Sequence, residues 1–178
     1  MFNFLVVAVL SSGLVNSSGI KLSAANIPQD LKNYSSLTQK ISSETCQTPS
    51  LHSLNLIEIG GVKLNTLLYL QTVQILKESR AAGSPMGITS SFRTCTEQTS
   101  LRKLNCPDPA SSPAESCTPA TEKPGESLHN YGLAVDFKCE SYPIFGSSPC
   151  YTWLTQNAER FKLKRHASEP WHWSFTGK

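Results

Sequence analysis

The stretch Ser127-Leu128-His129-Asn130-Tyr131-Gly132-Leu133-Ala134-Val135-Asp136 decides how this chain is read. It sets a histidine just ahead of a strand and an aspartate inside it. From Leu133 to Phe137 the side chains alternate, so Ala134 and Asp136 share one face while Leu133, Val135 and Phe137 share the other. The apolar face belongs in a core, which aims Asp136 the opposite way. A turn at Gly132 brings His129 to the same side. Imidazole nitrogen and carboxylate oxygen together are a donor set that suits Zn²⁺.

A second stretch, Glu169-Pro170-Trp171-His172-Trp173-Ser174-Phe175, completes the set. Read as a strand, it puts Trp171, Trp173 and Phe175 on one face and leaves His172 and Ser174 on the other. His172 is then a third ligand, and three protein ligands leave one metal position open for water. Glu169 precedes His172 by three residues, the wrong parity for a shared face. Pro170 resolves this by making Glu169 the end of a loop, from which its carboxylate reaches the reacting water as a general base.

Each residue also has a plainer reading. A lone histidine beside a strand is more often hydrogen-bonded structure than ligand. Asp136 reads equally as the buried partner of Arg93, Glu169 as a solvated acid, and Trp171 and Trp173 as core. Arg93 reads as a bridge to Glu97. His52 and His166 fall outside the pattern and are read as structural.

Around these stretches the chain organises as one domain with an N-terminal extension. Leu54, Leu56, Ile57 and Ile59 predict a short strand ending at Gly60-Gly61. Leu64, Leu67, Leu68, Gln71, Ile75 and Leu76 recur at three- and four-residue spacing, a helix closed by Gly83 in a left-handed cap. Met86 to Phe92 predicts a strand, and Thr94-Cys95-Thr96-Glu97 a capping box opening a helix through Leu104. Asn105 to Gly125 has no periodicity and is too long for an unanchored loop. Ser148-Pro149 predicts an N-cap and a first-turn proline for a helix through Trp153, Leu154 and Phe161.

With 178 residues, one sizeable core fits. A net charge of +3 and no basic block interleaved with aromatics argue against a nucleic-acid partner. Phe2 to Leu10, extended by Leu14 and Val15, is too short to span a bilayer and reads as a signal-peptide core, without the usual preceding Lys or Arg. Residues 1–25 are expected to be that signal, with cleavage after Ser17 or Ala25. Residues 26–45 are a flexible tether and 46–178 the catalytic domain. No membrane span is expected after processing. The six cysteines (Cys46, Cys95, Cys106, Cys117, Cys139 and Cys150) form no Cys-x-x-Cys pair, which favours disulfides in an oxidising compartment over a thiolate metal site. Cys106 with Cys117 and Cys139 with Cys150 would close compact loops, leaving Cys46 with Cys95.

The two stretches resemble the VanY-type D-alanyl-D-alanine carboxypeptidases, zinc peptidases related in fold to lysostaphin and the Hedgehog signalling domain. Ser127 to Asp136 and Glu169 to His172 match every fixed position of the family pattern Ser-x-His-x-x-Gly-x-Ala-x-Asp and Glu-x-x-His. Ser91-Phe92-Arg93-Thr94 and Gln98 are similar to a third family segment, departing where Ser91 stands in place of a glycine. The resemblance implies an α+β fold, a small central antiparallel sheet carrying the zinc site and flanked by helices. It implies one zinc held by His129, Asp136 and His172, with Glu169 as base and Arg93 stabilising the oxyanion or binding a substrate carboxylate. Ser127 and Gln98 are implied to line the substrate site.

The expected activity is therefore a secreted, wall-associated, monomeric D-alanyl-D-alanine carboxypeptidase acting on peptidoglycan stem peptides. L-alanyl-D-glutamate endopeptidase cleavage, as in phage lysis enzymes, and a non-catalytic zinc-containing wall-binding module are the alternatives. A base beside an open metal position argues against the last.

Overall fold

The computed structural model describes residues 54–140 and 142–178, all within the compact unit Ile41–Lys178. The signal segment, the tether, His52 and Cys46 lie outside the described residues. A hairpin comes first. β1 (Leu56–Ile59) pairs antiparallel with β2 (Val62–Asn65), turning at Gly60 and Gly61, both at positive φ. The strand expected to end at Gly60-Gly61 thus folds back on itself, and Leu64 belongs to β2 and not to the helix. Its apolar spacing matched the helix by coincidence over the few residues of β2.

Helix α1 (Thr66–Ala81) starts where the Asn65 side chain accepts from the Leu67 N–H. Gly83, at positive φ, lies just past its end, where its N–H bonds the Arg80 carbonyl. β3 (Met86–Ser90) follows, then α2 (Cys95–Asn105), opened by the complete Thr94/Glu97 capping box. β4 (Ala134–Cys139), the short β5 (Tyr142–Pro143), α3 (Pro149–Asn157), β6 (Lys164–Arg165) and β7 (His172–Ser174) complete the chain. Ser148 caps α3, with Pro149 in its first turn. β6 carried no sequence signal, being only two residues long.

The sheet runs β3-β4-β7-β6, antiparallel throughout, with β5 added to β4. Val135, Phe137 and Trp173 project from it into a core shared with Leu68 and Ile75 of α1 and Leu154 of α3. Burying each such side chain contributes about 1.5 to 3 kcal/mol, enough to fix which face of β4 turns inward. The pleat then sends Asp136 to the opposite face. Its registered neighbours are His172 on β7 and, past a bulge, Ser90 on β3.

The aperiodic segment after α2 is anchored twice. A disulfide joins Cys106 to Cys117. Arg102, 1% exposed, donates from Nε to the Pro109 carbonyl (2.7 Å), from one terminal nitrogen to Thr121 (2.6 Å) and from the other to Ser112 (2.6 Å). A second disulfide joins Cys139 to Cys150, and Cys95 is also disulfide-bonded. Among the described residues no helix is long and apolar enough to cross a membrane.

Candidate metal centre

His129 sits in a short 3-10 turn, Leu128–Tyr131, that the Ser127 hydroxyl caps by accepting from the His129 N–H. Gly132 ends the turn at φ +65°, and a Cβ there would lie 2.8 Å from the Asn65 nitrogen. That close approach to β2 needs glycine. Across the sheet, Asp136 and His172 face each other from adjacent strands.

The three side chains converge. His129 Nε2 lies 3.1 Å from His172 Nδ1, and Asp136 Oδ1 lies 3.3 Å from the first and 3.0 Å from the second. Bond lengths of about 2.0 to 2.2 Å in a tetrahedron place zinc ligands about 3.3 to 3.6 Å apart. The cluster is buried and of the right size and composition to hold a metal ion.

The outer ring nitrogens strengthen this reading. His129 Nδ1 lies 2.6 Å from the Ser91 carbonyl, and His172 Nε2 lies 2.8 Å from the Lys178 carbonyl. A carbonyl only accepts, so each outer nitrogen carries the proton and each neutral ring turns a lone pair inward. Two lone pairs and a carboxylate oxygen then face one another, an arrangement that calls for a cation. The field agrees. Burial drives the His129 pKa down. In Asp136 burial raises the pKa, but the two histidines outweigh it and hold the carboxyl well below the usual range. Burial lowers the His172 pKa too, but the adjoining Asp136 carboxylate outweighs it and raises the net value, the same demand for positive charge at the centre of the cluster.

Arg93 answers the other side of Asp136. One terminal nitrogen donates to Asp136 Oδ2 (2.9 Å), the second to Gln98 Oε1 (3.0 Å), and Nε to Ser90 Oγ (2.9 Å). The pairing of Arg93 with Asp136 thus coexists with the metal-ligand geometry. The bridge to Glu97 does not form, since the Glu97 carboxylate is spent on the Thr94 cap. Gln98 is 1% exposed, and its other amide end donates to the Glu122 carbonyl, so it braces Arg93 against the segment that follows the Cys106–Cys117 bridge. Ser91 occupies its glycine-like position at no backbone cost, its hydroxyl donating to the Ala134 carbonyl at 2.8 Å.

Glu169 lies in the loop before β7, as parity required. Burial pushes its carboxyl above the ordinary range. The imidazole nitrogens nearest to it are His172 Nδ1 (3.8 Å) and His166 Nδ1 (3.9 Å). All of these groups line one cleft of about 560 Å³, together with Ser127, Leu101 of α2, and Thr121 and Glu122 of the loop.

Two residues escaped the sequence reading. His166, expected to be structural, lines the cleft beside Glu169. Asn130 joins the walls, its amide donating to the Arg93 carbonyl (2.8 Å) and accepting from the Gly125 N–H (2.9 Å). Its place beside His129 was the only signal for it.

A family model described as VanY, D-alanyl-D-alanine carboxypeptidase, matches residues 61–178. The chain belongs to the VanY family. It is thus an enzyme of the zinc metallo-carboxypeptidase type, and its mixed α+β architecture is that of the family's solved structures. A variant of the vancomycin-resistance D,D-pentapeptidase VanY in complex with Zn(II) is 23% identical, with a TM-score of 0.57 over 72% of this chain and 82% of that one. VanYB in complex with D-alanine-D-alanine is also 23% identical, with a TM-score of 0.58 over 72% and 81%. The LdcB LD-carboxypeptidase is 20% identical, with a TM-score of 0.52 over 68% and 63%. No curated protein matches the chain in sequence.

Proposed function

We propose that this VanY-family member is a secreted zinc D,D-carboxypeptidase that removes the terminal D-alanine from peptidoglycan stem peptides. The observation that carries the reading is the convergence of His129 Nε2, His172 Nδ1 and Asp136 Oδ1, both rings locked from outside, beside the buried Glu169 carboxylate. The D-alanine-D-alanine complex of VanYB supports the choice of substrate. The Cys106–Cys117 and Cys139–Cys150 bridges support an oxidising, extracytoplasmic location.

In this reading His129, Asp136 and His172 hold the zinc. The ion supplies Lewis-acid polarisation of the scissile carbonyl and lowers the pKa of water to about 7. Glu169 takes the proton of the attacking water as the C–O bond forms, then returns it to the leaving amine as the C–N bond breaks. Arg93, fixed on three sides, presents its remaining N–H groups to the developing oxyanion or the substrate carboxylate. Ser127 and the Thr121–Glu122 edge of the loop line the path of the stem peptide. Gln98 acts through Arg93.

The test is to incubate the full chain with pentapeptide and tetrapeptide muropeptides, with and without chelator, and weigh the fragments. Chelator-sensitive loss of one D-alanine from the pentapeptide is expected. Loss from the tetrapeptide alone makes the enzyme an L,D-carboxypeptidase. Cleavage between L-alanine and D-glutamate makes it an endopeptidase, and an intact substrate overturns the reading.

A further inference from the structure

Glu169 has no hydrogen-bond donor within 3.5 Å among the described side chains, although a general base needs one to aim its carboxylate. The two imidazoles nearby are not equivalent. His172 gives its Nε2 proton to the Lys178 carbonyl, so its Nδ1 is a lone pair turned toward His129 and Asp136 and has nothing to donate. His166 is different. Its backbone is pinned on both sides, the N–H to the His172 carbonyl (2.9 Å) and the carbonyl to Arg165 (2.6 Å). Its ring stands edge-on to His172, with centroids 5.5 Å apart, and lines the cleft. Among the described residues, the polar contact of that ring within 3.5 Å is Ser168 Oγ, at 3.2 Å from Nδ1, an oxygen that can accept as well as donate. Glu169 Oε2 lies 3.9 Å from the same nitrogen, so a ring rotation of modest size closes a charge-assisted bond.

We propose that His166 is the positioning residue of the base: its Nδ1–H holds the Glu169 carboxylate toward the reacting water. The inference rests on the carboxypeptidase reading only for the base's role, since the placement of His166 against Glu169 stands by itself. A fixed ring on a doubly tethered backbone limits the directions the carboxylate can take. The two oxygens are then divided, one held by His166 and one left to take the proton.

Two measurements test it. Asn places an N–H near the Nδ1 position, Gln near Nε2, and Phe nowhere. His166→Phe and His166→Gln are expected to lower kcat on the order of 10- to 100-fold, the usual cost of losing an orienting partner, while His166→Asn restores most of it. KM and zinc affinity by chelator competition are expected to stay within about 3-fold in all three, on the same scale of an unaffected ligand set. Wild-type kcat in His166→Phe, no rescue by Asn over Gln, or loss of zinc from the variants overturns the proposal. Should the Phe variant fail to fold, the Asn and Gln pair decides. Independently of turnover, the ¹⁵N side-chain spectrum of the zinc-loaded full chain is expected to show His166 protonated on Nδ1, and a ring protonated only on Nε2 overturns the proposal. Wild-type protein that releases no D-alanine overturns the functional reading, and the spectrum still decides for His166.

Discussion

Arg102→Met tests how the cleft wall is built. The wild-type guanidinium is 1% exposed and bonds the Pro109, Ser112 and Thr121 carbonyls at 2.6 to 2.7 Å. A bond from a charged donor contributes about 1.5 to 3 kcal/mol, so three give an upper value of about 9. Returning the guanidinium to water in the unfolded chain offsets part of this, and carbonyls near the surface regain water. Leaving a buried carbonyl without its donor costs about 1 to 3 kcal/mol, so with three carbonyls partly rehydrated a net loss of about 3 to 5 kcal/mol is expected. Methionine keeps much of the apolar stem, so the loss falls on the bonds. For a domain of this size each kcal/mol moves Tm by about 3 to 5 °C, giving an expected fall of about 10 °C or more. The assay is thermal unfolding by circular dichroism of the oxidised, zinc-loaded chain. Arg102→Lys, with one ammonium for three dispersed carbonyls, is expected to fall between the two. Because Thr121 and Glu122 line the cleft, KM is expected to rise in both variants. A Tm within about 3 °C of wild type for Arg102→Met would show that the loop does not depend on the Arg102 bonds, and would refute this reasoning.

Three further outcomes follow from the metal centre. Glu169→Gln is expected to keep zinc and lose kcat by about 10²- to 10⁴-fold, checked by elemental analysis and muropeptide turnover together. His172→Ala is expected to lose the metal, since only two donors remain; stoichiometric zinc in that variant contradicts the ligand set. Arg93→Lys should lower kcat by about 10²-fold, because an ammonium cannot serve Asp136, Gln98 and Ser90 while still facing the cleft. Turnover of that variant close to wild type would remove Arg93 from the chemistry.

The helix starts at Thr94 and Ser148 and the inward face of β4 were legible because each depends on local chemistry, a capping side chain or a two-residue period. So was the displacement of Glu169 from the sheet, since parity is a property of the chain alone. The β1–β2 hairpin was not. Leu64 satisfies a helical spacing with Leu67 and Leu68, and only pairing with β1 assigns it to a strand. Arg102 and Asn130 were invisible for a related reason. Their partners are main-chain atoms brought near by folding, and no residue type in the sequence announces a carbonyl. His166 was missed because it belongs to no pattern and acts on Glu169 through space.

The two oxygens that lock the ligand rings, those of Ser91 and Lys178, are main-chain atoms. Every amino acid supplies one. The identities at positions 91 and 178 can therefore drift without disturbing the tautomers of His129 and His172, provided the backbone keeps its path. Conservation among relatives would then mark the metal-facing side chains and leave their outer support unmarked. Insertions or deletions that move the chain at those two points, and not point substitutions, are the changes that would quietly retune the metal.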